Sequence, residues 1–184
     1  MNSNSTNLGS YLGATLTSIT VLFYAINLDL MMKWWVSLLS AVIIIGFGVI
    51  SIKKARENSN GFIDFKTAFT NFFITTAIGV GISIVASIII FNFIDPEAAA
   101  YLNEKILLIT KESMERFGAP QEVINEAIAE ASKKNNYSIS SQLQGYVFAL
   151  AFNSLIGLIV AGIFSAFSRN NQTKNKFMID KSKI

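Results

Sequence analysis

The chain has 184 residues and a net charge of +3, and it is 52% hydrophobic but only 15% charged, against about 25% charged in soluble domains. It contains no cysteine and no histidine, which together exclude disulfides, thiolate and imidazole metal sites, cysteine nucleophiles, the usual general base and the physiological pH switch. On so apolar a chain the positive excess reports orientation and anionic lipid, so no nucleic-acid partner is expected.

Residues 1–28, 34–52, 67–94 and 135–168 carry no charged side chain. A helix needs about 20 mostly apolar residues to cross a bilayer core, and each run holds such a stretch. The expectation is an all-α, four-helix transmembrane bundle, one integral membrane domain over 1–184 surrounded by a lipid bilayer. Span 1 is expected at 8–26, where Ser, Thr and Gly interrupt the apolar run and Gly9 and Gly13 form a GxxxG, a helix-contact pattern. No Lys or Arg precedes this run and no A-x-A site follows it, which argues against a cleaved signal peptide. Span 2 is expected at 34–52, between Lys33 and Lys53-Lys54, with Trp34 and Trp35 in the interfacial belt.

Spans 3 and 4 are expected at 68–94 and 143–168, both long enough to tilt. Apolar surface gives helices no reason to associate in lipid, so small residues and interhelical hydrogen bonds must do it. Span 3 offers Asn71, Thr75, Gly79, Ser83 and Ser87 at four-residue spacing, and span 4 offers Gly145, Ala149, Asn153, Gly157, Ala161 and Ser165. Residues four apart share one helix face. The two stripes are expected to pack on each other, with Asn153 donating across the contact. The other reading is a polar seam along a solute path, and no ionisable group accompanies it.

Four spans put both termini on one side with the loop between spans 2 and 3. That loop carries Lys53, Lys54, Arg56 and Lys66, and the tail at 169–184 carries Arg169, Lys174, Lys176, Lys181 and Lys183. Positive charge in short flanking loops stays inside. Both termini are therefore expected in the cytoplasm, with the tail, and residues 95–142 outside.

The outer segment reads as a helical hairpin. Asp95 caps a helix that Pro96 opens, Gly118 ends it in the left-handed region, and Pro120 opens a second one. Leu102, Ile106, Ile109 and Phe117 share one face of the first helix, and Val123, Ile124, Ala127, Ile128 and Ala131 one face of the second. Lys111/Glu115, Glu112/Arg116 and Glu130/Lys134 are spaced to pair. Leu102, Ile106, Ile109, Val123 and Ile128 are candidate contacts for a second copy or a membrane partner. Glu122, Glu126 and Glu130 form an acidic row without the Gly-centred oxygen loop of a calcium site, so it reads as a solvated face.

The segment Gly61-Phe62-Ile63-Asp64-Phe65-Lys66-Thr67-Ala68-Phe69, the break at Ile94-Asp95-Pro96, the acidic helical loop and the Gly-rich last span resemble the domain of unknown function 4199 family over about residues 8–170. The resemblance implies an uncharacterised bacterial multi-span protein, mainly of Bacteroidota, in the inner (plasma) membrane, and it imports no activity. The residues have their own local physics. Gly61 permits a sharp turn, Asp64 can cap span 3, and Phe62, Ile63 and Phe65 can sit in the interface.

No catalytic residue, cofactor or metal site is assigned. Triads with His or Cys are impossible, and no lysine lies inside a span to serve a Ser–Lys pair. An enzyme is not expected. The leading expectation is a non-enzymatic envelope interaction or assembly component, and the alternative is a small oligomeric transporter or channel component.

Overall fold

The structure is a computed structural model that describes the backbone of residues 3–181 and the side chains of residues 3–169. It is all-helical among the described residues. Helix α1 spans Ser3–Ile26, a short 3-10 turn covers Leu28–Met32, and α2 spans Trp34–Glu57. Helix α3 spans Phe65–Ile89 and runs on into a π turn at Ile90–Ile94. Then come α4 at Pro96–Arg116, α5 at Gln121–Ser132 and α6 at Ile139–Lys181. Four helices are long and apolar enough to cross a membrane: Ser3–Ile26, Trp34–Glu57, Phe65–Ile94 and Ile139–Arg169. This is a multi-pass membrane protein.

Two span boundaries differ from the sequence reading. Helix α1 starts at Ser3, before the expected 8, because the polar residue Ser5 is buried and hydrogen-bonded inside the bundle. Helix α6 begins at Ile139, before the expected 143, and its backbone stays helical past 168 to Lys181. The side chains of Lys174, Lys176 and Lys181, and all of Lys183, lie outside the described residues.

Helix α3 is the centre of the bundle and touches α1, α2 and α6. Its small face meets α1, not α6. Leu12 of α1 lies against Gly79 of α3, while Ile78 and Ile82 of α3 lie against Gly9 and Gly13 of α1. A methyl group at any of these glycines would collide with the opposing side chain, so the two backbones approach as small-xxx-small contacts allow. Phe72 of α3 is fully buried, with its ring between Gly48 of α2 and Gly157 of α6. Ile52, Ala55, Ile63, Ala68 and Ala161 complete that core.

The turn between α2 and α3 is shaped by Asn60 (φ +54°) and Gly61 (φ +81°), of which only glycine takes the left-handed region without steric cost. Arg56 Nε donates to the Gly61 carbonyl at 2.9 Å. Asp64 caps α3 by accepting from the Thr67 amide at 2.9 Å. Ile63 does not sit in an interface as expected. It is buried, and its amide donates to the Ser168 hydroxyl of α6 at 3.0 Å, which ties the turn to the last span.

At the opposite end, Ile90, Phe91, Ala98, Ala99 and Leu102 form a separate core under Tyr24, Leu28, Met31, Met32 and Tyr137. The π turn closes with the Asp95 amide donating to the Ile90 carbonyl at 2.7 Å. Asp95 accepts from the Ala98 amide at 2.9 Å and caps α4, with Pro96 in the first turn. Gly118 (φ +72°) ends α4, and Pro120 stands immediately before α5. After α5 the chain is back beside α4: Asn103 Nδ2 donates to Asn135 Oδ1 at 2.9 Å, and the Asn136 amide donates to Asn103 Oδ1 at 3.0 Å.

Candidate functional site

Three polar regions result from this packing. The first lies inside the bundle where α1, α2 and α3 meet. Ser5, Ser51, Asn71, Thr75 and Thr76 are all buried there. The Ser5 hydroxyl donates to Asn71 Oδ1. Thr75 Oγ1 lies 2.8 Å from Ser51 Oγ, and Ser51 Oγ lies 3.1 Å from the Asn71 carbonyl. Asn71 Nδ2 donates to the Thr67 carbonyl at 2.7 Å. These groups have no pKa in the biological range, and the cluster joins the three helices by neutral hydrogen bonds. Ser51 falls on one helix face with Gly48 and Ala55 at three- and four-residue steps. That spacing is the signal in the sequence for a contact face on α2, and the sequence reading passes over it.

The second region is the half of the bundle nearer α4. Every buried residue of α2 lies between Gly48 and Ala55. The preceding half of that helix is flanked by two hollows. One, of about 230 Å³, lies between α1, α2 and α3 beside Leu16, Thr20, Ser40, Val80 and Ser83. The other, of about 370 Å³, lies between α2 and α6 beside Ser37, Ser40, Ala41, Ile45, Ala149 and Asn153. Asn153 is 7% exposed. It does not donate across a helix contact as expected: its Nδ2 donates to the Ala149 carbonyl of its own helix at 2.8 Å. Asn153 lines the α2–α6 hollow.

The third region is the collar at the α4 end. The Tyr24 hydroxyl donates to Asp95 Oδ2 at 2.9 Å. The Tyr101 hydroxyl donates to Asp29 Oδ1 at 2.7 Å, and Lys105 Nζ approaches the same oxygen at 3.3 Å. The Ala98 amide and then the Tyr24 hydroxyl hold the Asp95 carboxyl below its ordinary range. The Tyr101 hydroxyl and then Lys105 do the same for Asp29. Asn92 Nδ2 and Gln142 Nε2 donate to the Tyr137 carbonyl at 3.0 and 2.7 Å. Burial pushes the Tyr137 phenol up to about 12. Of these collar residues, the sequence marks only Asp95 as a hydrogen-bonding group.

The sequence-derived residues divide accordingly. Asn71, Thr75 and Gly79 are buried on α1 and α2, whereas Ser83 lines the smaller hollow and Ser87 is half-buried. Gly157 and Ala161 meet the Phe72 core. Ala149 is half-buried beside Leu12, Leu16 and Val80. Gly145 is exposed, with open space where its Cβ would stand, so the four-residue stripe outlasts the contact. At that level Tyr146 makes the contact to α3, passing over Gly81 and donating to the Ala77 carbonyl at 2.9 Å.

In the outer pair, Leu102 is fully buried in the collar core and is no partner contact. Ile106 and Ile128 are half-buried, and Ile124 is the buried residue of α5. Ile109 and Val123 are exposed, together with Leu108 and, at 91%, Phe117. Lys111 and Glu115 approach to 4.0 Å, and Glu130 pairs with Lys133 at 2.9 Å in place of Lys134. Glu112 and Arg116 form no ion pair among the described residues. Glu122, Glu126 and Glu130 are exposed.

Comparison with known proteins returns one finding. The profile of a family described as a protein of unknown function (DUF4199) matches residues 7–170. No curated protein and no solved structure matches the chain.

Proposed function

We propose, from the premise that this chain belongs to the DUF4199 family, that it is a non-enzymatic interaction or assembly component of a bacterial inner membrane, with both termini cytoplasmic and the α4–α5 pair displayed on the far side. One observation carries the reading. Beyond the collar, α4 and α5 bury Ile124 but leave Leu108, Ile109, Phe117 and Val123 exposed. These residues lie outside the candidate spans, so a bilayer core crossed by those spans does not cover them. Apolar groups left bare in water mark a surface that a second copy or a membrane partner covers. The neutral buried hydroxyl cluster supports a structural bundle, since proton and ion paths are usually built on ionisable groups.

Photocrosslinkers placed at Ile109, Val123 and Phe117 in membranes should trap a protein neighbour. Adducts to lipid alone would overturn the reading. Reporter fusions after Arg169 and within α5 should report opposite compartments. A second reading, a small oligomeric transporter or channel component, draws on the two hollows beside α2. Solute flux in proteoliposomes, lost in Asn153→Leu while the fold is kept, would favour it.

A further inference from the structure

The hollow between α2 and α6 lies at membrane depth. Its α2 wall runs from Val36 to Ile45, about 14 Å along a helix, starting next to the exposed Trp34. A leaflet of hydrocarbon is about 15 Å deep, half of a bilayer core. The hollow therefore reaches from the rim of the membrane to near its middle, and what fills it comes from the lipid phase. Its walls are aliphatic apart from Phe152 and three polar side chains, Ser37, Ser40 and Asn153. Ser40 Oγ donates to the Val36 carbonyl at 2.9 Å. Ser37 is exposed on α2, one turn below Trp34.

Asn153 is the exception in this lining. Its Nδ2 is fixed by the Ala149 carbonyl at 2.8 Å, which orients the amide and leaves Oδ1 as the free acceptor. Oδ1 accepts no hydrogen bond among the described residues. An acceptor without a donor at hydrocarbon depth is costly, and a plain alkyl chain in the hollow would leave it so.

The geometry points to a binding site for one aliphatic chain that carries a hydroxyl part-way along its length. The chain lies between α2 and α6, from the Trp34 rim inward, and its O–H donates to Asn153 Oδ1. This goes beyond the surface role proposed for α4 and α5 and does not depend on it.

The test uses the full chain in phosphatidylcholine nanodiscs with a diazirine-bearing stearate as probe. The probe should label peptides that contain residues 36–45 or 149–156. Stearic acid hydroxylated at mid-chain should displace it at about ten-fold lower concentration than plain stearic acid or the methyl ether of the hydroxy acid, the worth of one hydrogen bond. Asn153→Leu should erase that difference. Ala41→Trp, which fills the hollow from α2 and keeps Asn153, should abolish labelling in both segments. Displacement by the hydroxylated chain as an ester of lysophosphatidylcholine, but not as the free acid, would identify the source as a phospholipid. The reverse would identify it as a free amphiphile. Equal displacement by all three free acids, labelling confined to other segments, or copy-to-copy crosslinks from Ala41 in place of probe adducts would each overturn the proposal.

Discussion

The two halves of this bundle are made from the same helices, yet α2 has buried residues in only one of them. Around Phe72, the helices meet through Gly48, Gly79 and Gly157 and through the Ser5–Ser51–Asn71–Thr75 cluster. Nearer α4, residues 36–45 of α2 include Val42, Ile43, Ile44 and Ile45 but stand beside hollows of about 230 and 370 Å³. Lipid dissolves isoleucine as well as a neighbouring helix does, so apolar content does not decide where helices close up. Glycines that admit a ring and hydroxyls that find a partner on the next helix do.

That contrast can be broken by mutation. Phe72→Ala should destabilise most, by about 3 kcal/mol or more, because the ring is held between two glycines that cannot move into its place. Denaturation in mixed detergent micelles would measure it, and a loss as small as that of a lipid-facing residue would erase the distinction between the halves. Ser51→Ala should cost less, under about 1 kcal/mol, since polar contacts between membrane helices average about that or below. It should also loosen α1 selectively, which hydrogen exchange at the Ser5 end would report.

Acid should act at the capping carboxyls, in the collar and at Asp64, whose carboxyl the Thr67 hydroxyl and amide hold below its ordinary range. Asp29 and Asp95 have carboxyls held below the ordinary value of 3.8, so their clamps are intact above that pH and are lost as pH falls through the lower folded values. Amides in the first turns of α4 and α3 should then exchange faster while those around Phe72, two turns into α3, do not change. Ala41→Leu should do least, within about 0.5 kcal/mol, because it adds volume to a space already open. A large loss from that change would mean the open half is packed after all.

The sequence makes the spans legible because absence of charge over a bilayer's width needs no knowledge of neighbours. It also shows the caps at Asp64 and Asp95 and the turn at Gly118, whose physics is local. What it cannot show is pairing. The stripe Asn71–Thr75–Gly79 names a face of α3, but nothing within α3 says that α1 and α2 cover it and that α6 meets α3 through Phe72. Gly145 misleads for the same reason, since a periodic pattern says nothing of where two helices part. Leu102 reads as surface because it shares a helix face with Ile106 and Ile109. Its burial depends on a core covered by Leu28 and Met31, which lie far away in sequence. The lone Asn153 acceptor is legible only once the space beside it is known.

The π turn at Ile90–Ile94 sets a phase. An ordinary α-helical turn there would hold one residue fewer, and each residue added or removed swings the downstream chain by about 100° around the helix axis. Deleting one of those five positions would keep α3 intact and leave α4 with its own cap, yet aim α4 away from Tyr24 and Asp29. One inserted residue thus fixes the compass bearing of everything the chain builds beyond the bilayer.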